Sequence, residues 1–413
     1  MAFEIDKVRA DFPILGTEVH GHPLVYLDNG ATTQVPEQVI QRVAEHYRTS
    51  NANVHRGMHY LAHASTDALE HARRTVADFV NAENEKCVVF TRGTSDSLNM
   101  VAAGLRHLLK PDDRVIASLL EHHSNFVPWQ QVCKATGAEF KVVGLTEYGD
   151  IDLKELERLV NRDNRTKVVA LSGCSNVLGS FLPAKEAARM AHDAGALFVL
   201  DGAQIMRHGV VDVQDIDVDF LAFSGHKMMA GTGIGALVGK SEALELLAPR
   251  DFGGEMVDSV AVEKTTFEEL PLRLEAGTPN YVGAIALGEA CNYLSDLGIE
   301  EIAAREDELI AHAQDKLKAI DGLHILGNPK RRAGVVSFDI EGIHPLDLCT
   351  MVDMRGVALR SGHNCAQPLL NSFGLTSVSR MSPAFYNTID EIDYAAEQIA
   401  MASQMLRRAS SRN

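Results

Sequence analysis

Seven short, apolar, β-branched runs punctuate residues 86–240, and longer segments with helical spacing stand between several of them. The runs cover 87–91, 114–118, 140–143, 168–172, 197–201, 220–224 and 234–238. None alternates apolar with polar residues, so both faces of each strand are expected to be buried. Residues 96–109 place Leu98, Val101, Leu105 and Leu108 close to helical spacing, and 153–160 and 184–194 look similar. Strand–helix alternation of this kind predicts an α/β fold, a mostly parallel sheet with helices on both faces. The last two runs break the rhythm, because no helix separates them. That predicts a locally antiparallel pair and a mixed sheet.

After about residue 285 the pattern changes. Helical stretches at 284–297 and 302–320 precede strand-like 334–339 and 357–360, and a final helix is expected over 390–407. This reads as a smaller α+β domain. The polar tail 407–413 is expected to fray.

Bulk properties narrow the function. The net charge of −17 argues against nucleic acid and against an anionic membrane surface. It fits plain solubility, or a basic partner protein. Cysteines at 87, 133, 174, 291, 349 and 365 form no C-x-x-C pair, which argues against a zinc site and fits a reducing compartment. The first fifteen residues contain no secretory apolar region, and no run reaches the ~18 apolar residues of a membrane span. The expected location is the cytoplasm.

Five places at strand ends carry the chemistry, where open α/β sheets bind ligands. Thr91-Arg92-Gly93-Thr94-Ser95-Asp96 opens a helix with hydroxyls and free N–H groups, either an ordinary cap or an anion site. Asp201, followed by Gly202-Ala203-Gln204, ends an apolar strand, so its carboxylate needs a cation: a salt-bridge partner or a protonated pyridine. Ser224-Gly225-His226-Lys227 offers a desolvated amine suited to a Schiff base, with Ser224 and His226 placed to bind a phosphate. In Glu121-His122-His123-Ser124-Asn125, a third metal ligand is not evident, and an imidazole stacked on a flat ring fits better. Arg360-Ser361-Gly362-His363-Asn364-Cys365-Ala366 sets a cysteine among polar residues, which favours reactivity, beside an arginine suited to a carboxylate.

Together these places resemble the fold-type I pyridoxal-phosphate (PLP) enzymes of the class V aminotransferase group, and more narrowly the SufS-type (group II) cysteine desulfurases, also described as selenocysteine lyases. The resemblance runs almost end to end. It includes Asp6-Lys7-Val8-Arg9-Ala10-Asp11-Phe12-Pro13, Tyr26-Leu27-Asp28-Asn29, Asn53-Val54-His55-Arg56-Gly57, Ser175-Asn176-Val177-Leu178-Gly179 and Arg273-Leu274-Glu275-Ala276-Gly277-Thr278-Pro279-Asn280. It implies a large PLP-binding domain over 24–285, with a smaller domain from 1–23 and 286–413 that carries the cysteine loop.

The resemblance also implies roles. Lys227 would hold PLP covalently, Asp201 would pair with the ring nitrogen, Gln204 with the ring hydroxyl, and His122 would stack on the ring. Thr94, Ser95, Ser224 and His226 would hold the phosphate. Asn176 and Arg360 would bind the substrate carboxylate, with Arg380 and His55 lining the pocket. Thr278 would reach the cofactor of a second subunit, implying a homodimer. Cys365 would take sulfur from L-cysteine as a persulfide, release L-alanine, and pass the sulfur to a SufE- or SufU-like acceptor for iron–sulfur cluster assembly. A related aminotransferase, a kynureninase-like hydrolase or a non-enzymatic sulfur carrier are the alternatives. Cys365 argues against the first two, and intact Lys227, Asp201 and His122 against the third.

Four departures stand out. Gly173 replaces a usual His, Ala230-Gly231 a usual Gly-Pro, and Asn364 a frequent His before the cysteine. Leu346, in His344-Pro345-Leu346-Asp347, stands where relatives using zinc-binding acceptors carry a second His. A zinc-swapping transfer is therefore expected to be impaired or rerouted, or Leu346 packs beneath the loop.

Overall fold

The computed structural model describes residues 4–410. All seven runs become strands of one sheet: β1 (Val88–Thr91), β2 (Arg114–Ser118), β3 (Glu139–Val143), β4 (Thr166–Ser172), β5 (Leu197–Asp201), β6 (Phe220–Ser224) and β7 (Gly235–Gly239). Their spatial order is β1-β7-β6-β5-β4-β2-β3. β7 runs antiparallel to both β1 and β6, while the remaining neighbours are parallel. The cause is the short β6–β7 connection, which holds one tight turn, Gly225–Lys227, and cannot make a helical crossover.

Successive residues feed opposite cores. Val88 and Phe90, Phe198 and Leu200, and Leu221 and Phe223 face one core. Val89, Val199, Phe220 and Ala222 face the other. Burial on both faces explains why these strands lack polar alternation. β3 departs from that expectation and is half-buried along most of its length, because it is the edge strand.

The helix after β1 spans Thr94–Leu105, ending in a tight turn Arg106–Leu108. Helix Tyr281–Leu297 packs against helix Tyr60–Phe79 on the large sheet's side. Helix Ile299–Lys318 leads to a four-stranded antiparallel sheet of β8 (Leu323–Ile325), β9 (Val336–Ile340), β10 (Arg360–Gly362) and β11 (Val378–Met381), in the order β8-β9-β11-β10. Its core joins Phe338, Leu309 and Ile399 to Val25 and Leu27 from near the N-terminus. The strand expected at 357–360 is split. Val357–Ala358 pairs in parallel with Val25–Tyr26, and Arg360 begins β10.

The last helix runs Ile389–Ser410, so the fraying expected from Arg407 does not occur at that residue. Arg407 is tied to Asp321 through its carboxylate at 2.5 Å and its carbonyl at 2.8 Å. Residues 411–413 of the expected tail lie outside the described residues.

Candidate active site

The C-terminal ends of β1, β2, β5 and β6 open onto one cavity of about 330 Å³. Thr94, Ser95, His122, Asn176, Asp201, Ser224, His226, Lys227, Arg360, Cys365 and Arg380 all line it. The cysteine arrives from the other unit, on the loop between β10 and the short helix Gln367–Ser372.

Lys227 sits on the turn that ends β6, because the chain must reverse there into β7. Burial lowers its amine to about 8; Arg380 adds to that, while Asp201 and Cys365 act against it. A lysine so placed loses its proton far more readily than one in water. Asp201 ends β5, almost wholly buried, and accepts a 2.9 Å bond from the Ala203 N–H. Burial pushes its carboxyl up, and Lys227 offsets this in part. A carboxylate so enclosed is suited to a cationic ring N–H. His122 is lowered to about 3, by burial and then by Lys227, so its ring is neutral. Its Nδ1 accepts from the Ser124 N–H at 3.1 Å, which fixes the ring.

A second end of the cavity is a hydroxyl cluster at the N-terminus of helix Thr94–Leu105. Ser224 Oγ accepts from the Thr94 N–H at 2.7 Å and lies 2.7 Å from Thr94 Oγ1. Ser95 Oγ lies 2.5 Å from Ser124 Oγ. Gly93 has φ +141°, and a Cβ there would stand 3.1 Å from Ser224 Oγ. His226 is lowered to about 4 by burial and by Lys227. Converging hydroxyls and a helix N-terminus are the donor set a phosphate takes.

Arg360 and Arg380 converge from β10 and β11, both held by Asp28, at 2.6 Å and 3.3 Å. Arg380 Nη1 also donates to the Asn176 carbonyl at 2.9 Å. Asn176 Nδ2 donates to the Asn364 carbonyl at 2.6 Å, leaving its own Oδ1 buried without a partner. Two guanidinium groups beside an unsatisfied amide oxygen can grip a substrate's carboxylate and hold its amine.

Gln204 and His55 do not line this cavity, and neither does Thr278, the residue expected at the cofactor of a second subunit. Gln204 is buried beside the cavity, its Nε2 donating to the Gly30 carbonyl at 2.8 Å. His55 lies elsewhere, 3.5 Å from Glu70 and 3.4 Å from Glu255. Its hydrogen bond to Glu70 raises its pKa against the pull of burial. Thr278 lines a separate pocket with Arg250 and Asp96. Two residues given no role by the sequence matter here. Asp28 orients both arginines. Glu121 is fully buried, accepts from Ser118, Ser172 and Asn125 at 2.5–2.6 Å, and burial raises it to about 7. A carboxylate beside a site histidine was the signal available.

Two of the departures have local reasons. At Gly173 a Cβ would stand 3.1 Å from Ile205, which fills the space of the usual side chain. Gly231 has φ +86°, which proline cannot adopt. Leu346 does not pack beneath the loop; its relative exposure is 57%.

The chain matches the family described as "Aminotransferase class-V" over residues 25–395. It belongs to that family. It is 45% identical over 397 residues to a probable cysteine desulfurase of Halalkalibacterium halodurans, covering 96% of each chain. It is 47% identical over 391 residues to one of Synechocystis sp., covering 94% of this chain and 92% of the other. Among solved structures, it superposes on the cysteine desulfurase CsdA of Escherichia coli with a TM-score of 0.91 and 38% identity, covering 98% and 100%. The architecture is that of the PLP-dependent class-V enzymes, and the amine, the buried carboxylate and the hydroxyl cluster fit that cofactor.

Proposed function

We propose that this protein is a PLP-dependent cysteine desulfurase that converts L-cysteine to L-alanine and carries the sulfur as a persulfide on Cys365. The observation that carries the reading is the meeting of Lys227 and Cys365 on one cavity. The other five cysteines are buried, and Cys365 is not.

Lys227 would anchor PLP, with Asp201 at its ring nitrogen, Gln204 near its hydroxyl, His122 on its face and Thr94, Ser95, Ser224 and His226 at its phosphate. The cofactor supplies an electron sink at the substrate α-carbon. The chain supplies the rest. Arg360, Arg380 and Asn176 orient the amino acid. Lys227 moves protons. Cys365 Sγ, as thiolate, forms an S–S bond to the substrate sulfur as the C–S bond breaks. The electron pair of that bond stays on the carbon skeleton and is quenched by a proton, giving alanine. The same attack serves selenocysteine, whose selenium is also an electrophile.

The active form is a homodimer in this reading. His55 and Thr278 lie away from their own cavity, and Met58, Tyr60, Phe252 and Val262 are exposed apolar side chains. The sulfur goes to a SufE- or SufU-like acceptor in the cytoplasm, serving iron–sulfur assembly. Leu346 offers a zinc-type acceptor no ligand, and His344 Nδ1 is engaged by the Leu346 N–H at 3.2 Å.

The test is alanine and sulfide production from L-cysteine by wild type and Cys365→Ala, with thiol-specific labelling of the persulfide. Wild type should give alanine and a labelled Cys365. The variant should retain the visible absorption of bound PLP and lose desulfuration. Full cysteine turnover by the variant would overturn the reading.

A further inference from the structure

We infer that His123 is a positioning residue for Cys365: its backbone and its neutral imidazole clamp the thiol loop at the cysteine and two residues beyond it, and protonation of the ring releases the second of these contacts. The inference rests on the desulfurase reading for its purpose, but its geometry stands alone.

The Cys365 loop needs holding. Asn364 and Cys365 both have left-handed backbones, at φ +50° and +53°. Non-glycine residues adopt that conformation only against steric strain, so contacts must impose it. The contacts come from the loop that also bears His122. The His123 N–H donates to the Cys365 carbonyl at 2.7 Å. His123 Nε2 accepts from the Gln367 N–H at 3.2 Å. One residue thus grips the backbone at Cys365 and again two residues on. Asn176 holds the preceding carbonyl, at Asn364. The adjacent His122 lines the cofactor cavity, so two neighbouring imidazoles set ring face and thiol in register.

The acceptor role dictates the tautomer. Nε2 must carry the lone pair, so the proton resides on Nδ1. A doubly protonated ring has no acceptor, and the Gln367 N–H loses its partner. The titratable groups facing His123 are His122 on its own loop, at 6.3 Å between ring centroids, and His363 and Cys365 on the thiol loop. Lys227 and Arg380 act on His122 from across the cavity. Burial and His363 both lower His123, so the clamp is closed at neutral pH and opens on the acid side. His363 adds a local contact, its Nδ1 accepting from the Cys365 N–H at 3.0 Å.

The test compares wild-type holoenzyme with His123→Leu and His123→Gln. Gln can place a carbonyl oxygen near the Nε2 position and does not titrate. The first measurement is amide hydrogen exchange of the peptide containing Cys365 and Gln367, from about pH 8 to about pH 5 and corrected for intrinsic exchange. The second is the single-turnover rate of persulfide formation on Cys365. His123→Leu should speed the exchange and slow the persulfide step, each by about fivefold or more, the factor for one lost hydrogen bond. His123→Gln should restore both and lack the wild type's extra loss on the acid side. Wild-type protection in His123→Leu overturns the clamp, and so does an acid-side loss in His123→Gln equal to that of wild type. Absence of any alanine from cysteine in wild type sinks the desulfurase reading instead, while the exchange data still judge the clamp.

Discussion

Glu306 should be a sensitive point of the whole molecule, although it touches no part of the cavity. It stands on helix Ile299–Lys318 with its side chain only 1% exposed. It is bonded to Arg207 and His208, and its Oε1 also accepts the Phe385 N–H at 3.2 Å. Arg207 ends the turn Ile205–Arg207 that follows Gln204, so the pair ties the cofactor side of the large sheet to the smaller unit. Burial pushes the His208 ring down, leaving Glu306 and Arg207 as the compensating charges. Glu306→Gln keeps the volume and removes the anion. Arg207, 3% exposed and already with an unpartnered Nη2, cannot reach water. Stranding one member of a buried pair costs about 3–5 kcal/mol. Urea unfolding at saturating PLP, followed by far-ultraviolet circular dichroism, should show that loss as a lowered midpoint with little change in slope. The double variant Arg207→Met with Glu306→Leu removes both charges and should be more stable than Glu306→Gln alone. A loss below about 1 kcal/mol in Glu306→Gln, or a double variant less stable than the single, would refute the argument. The pH dependence has a definite sign. Burial would raise Glu306, but Arg207 and His208 outweigh it and the carboxyl is lowered. Its contribution is present above the unfolded carboxylate pKa and is lost as pH falls through the depressed folded value.

Two further outcomes bear on the cofactor. Borohydride reduction of wild type should fix PLP to the peptide containing Lys227, and Lys227→Ala should yield no labelled lysine; a label on another lysine would displace the assignment. In PLP-stripped protein, the rate of covalent PLP capture should follow the free amine of Lys227, with an acid limb near its lowered value of about 8. Asp201→Asn removes a carboxylate that raises that value, so the limb should move to lower pH; stopped-flow absorbance that places it unmoved or higher would contradict the pairing.

The large sheet was legible because its strands are buried on both faces, and a run such as Phe220–Ser224 has few other ways to read. Even the antiparallel β7 showed through, since chain length between β6 and β7 forbids a crossover. The smaller unit was less legible. Leu323–Ile325 is three residues long and Val378–Met381 four, too short to present a period. Val25–Tyr26 pairs with Val357–Ala358 across more than 300 positions of sequence, a contact no local pattern encodes.

The site divides along the same line. Residues whose environment is set by the strand they terminate were legible one at a time. Asp201 announces itself because an apolar strand ends on a charge, and Lys227 because a turn of Ser-Gly-His precedes it. Residues that act through another residue were not. Asp28 matters only because β10 and β11 bring Arg360 and Arg380 to it, and His123 only because the Cys365 loop folds back onto it. The motif loops were each readable as local chemistry, but what holds two such loops in register is one bond between backbone groups, His123 N–H to the Cys365 carbonyl, and one from the Gln367 N–H to the His123 ring. Backbone groups are the same at every position, so their partners are chosen by the fold and leave no mark on residue type. That Cys365 sits among polar residues is written in the sequence; that its loop folds back onto His123, more than two hundred residues earlier, is written only in the geometry.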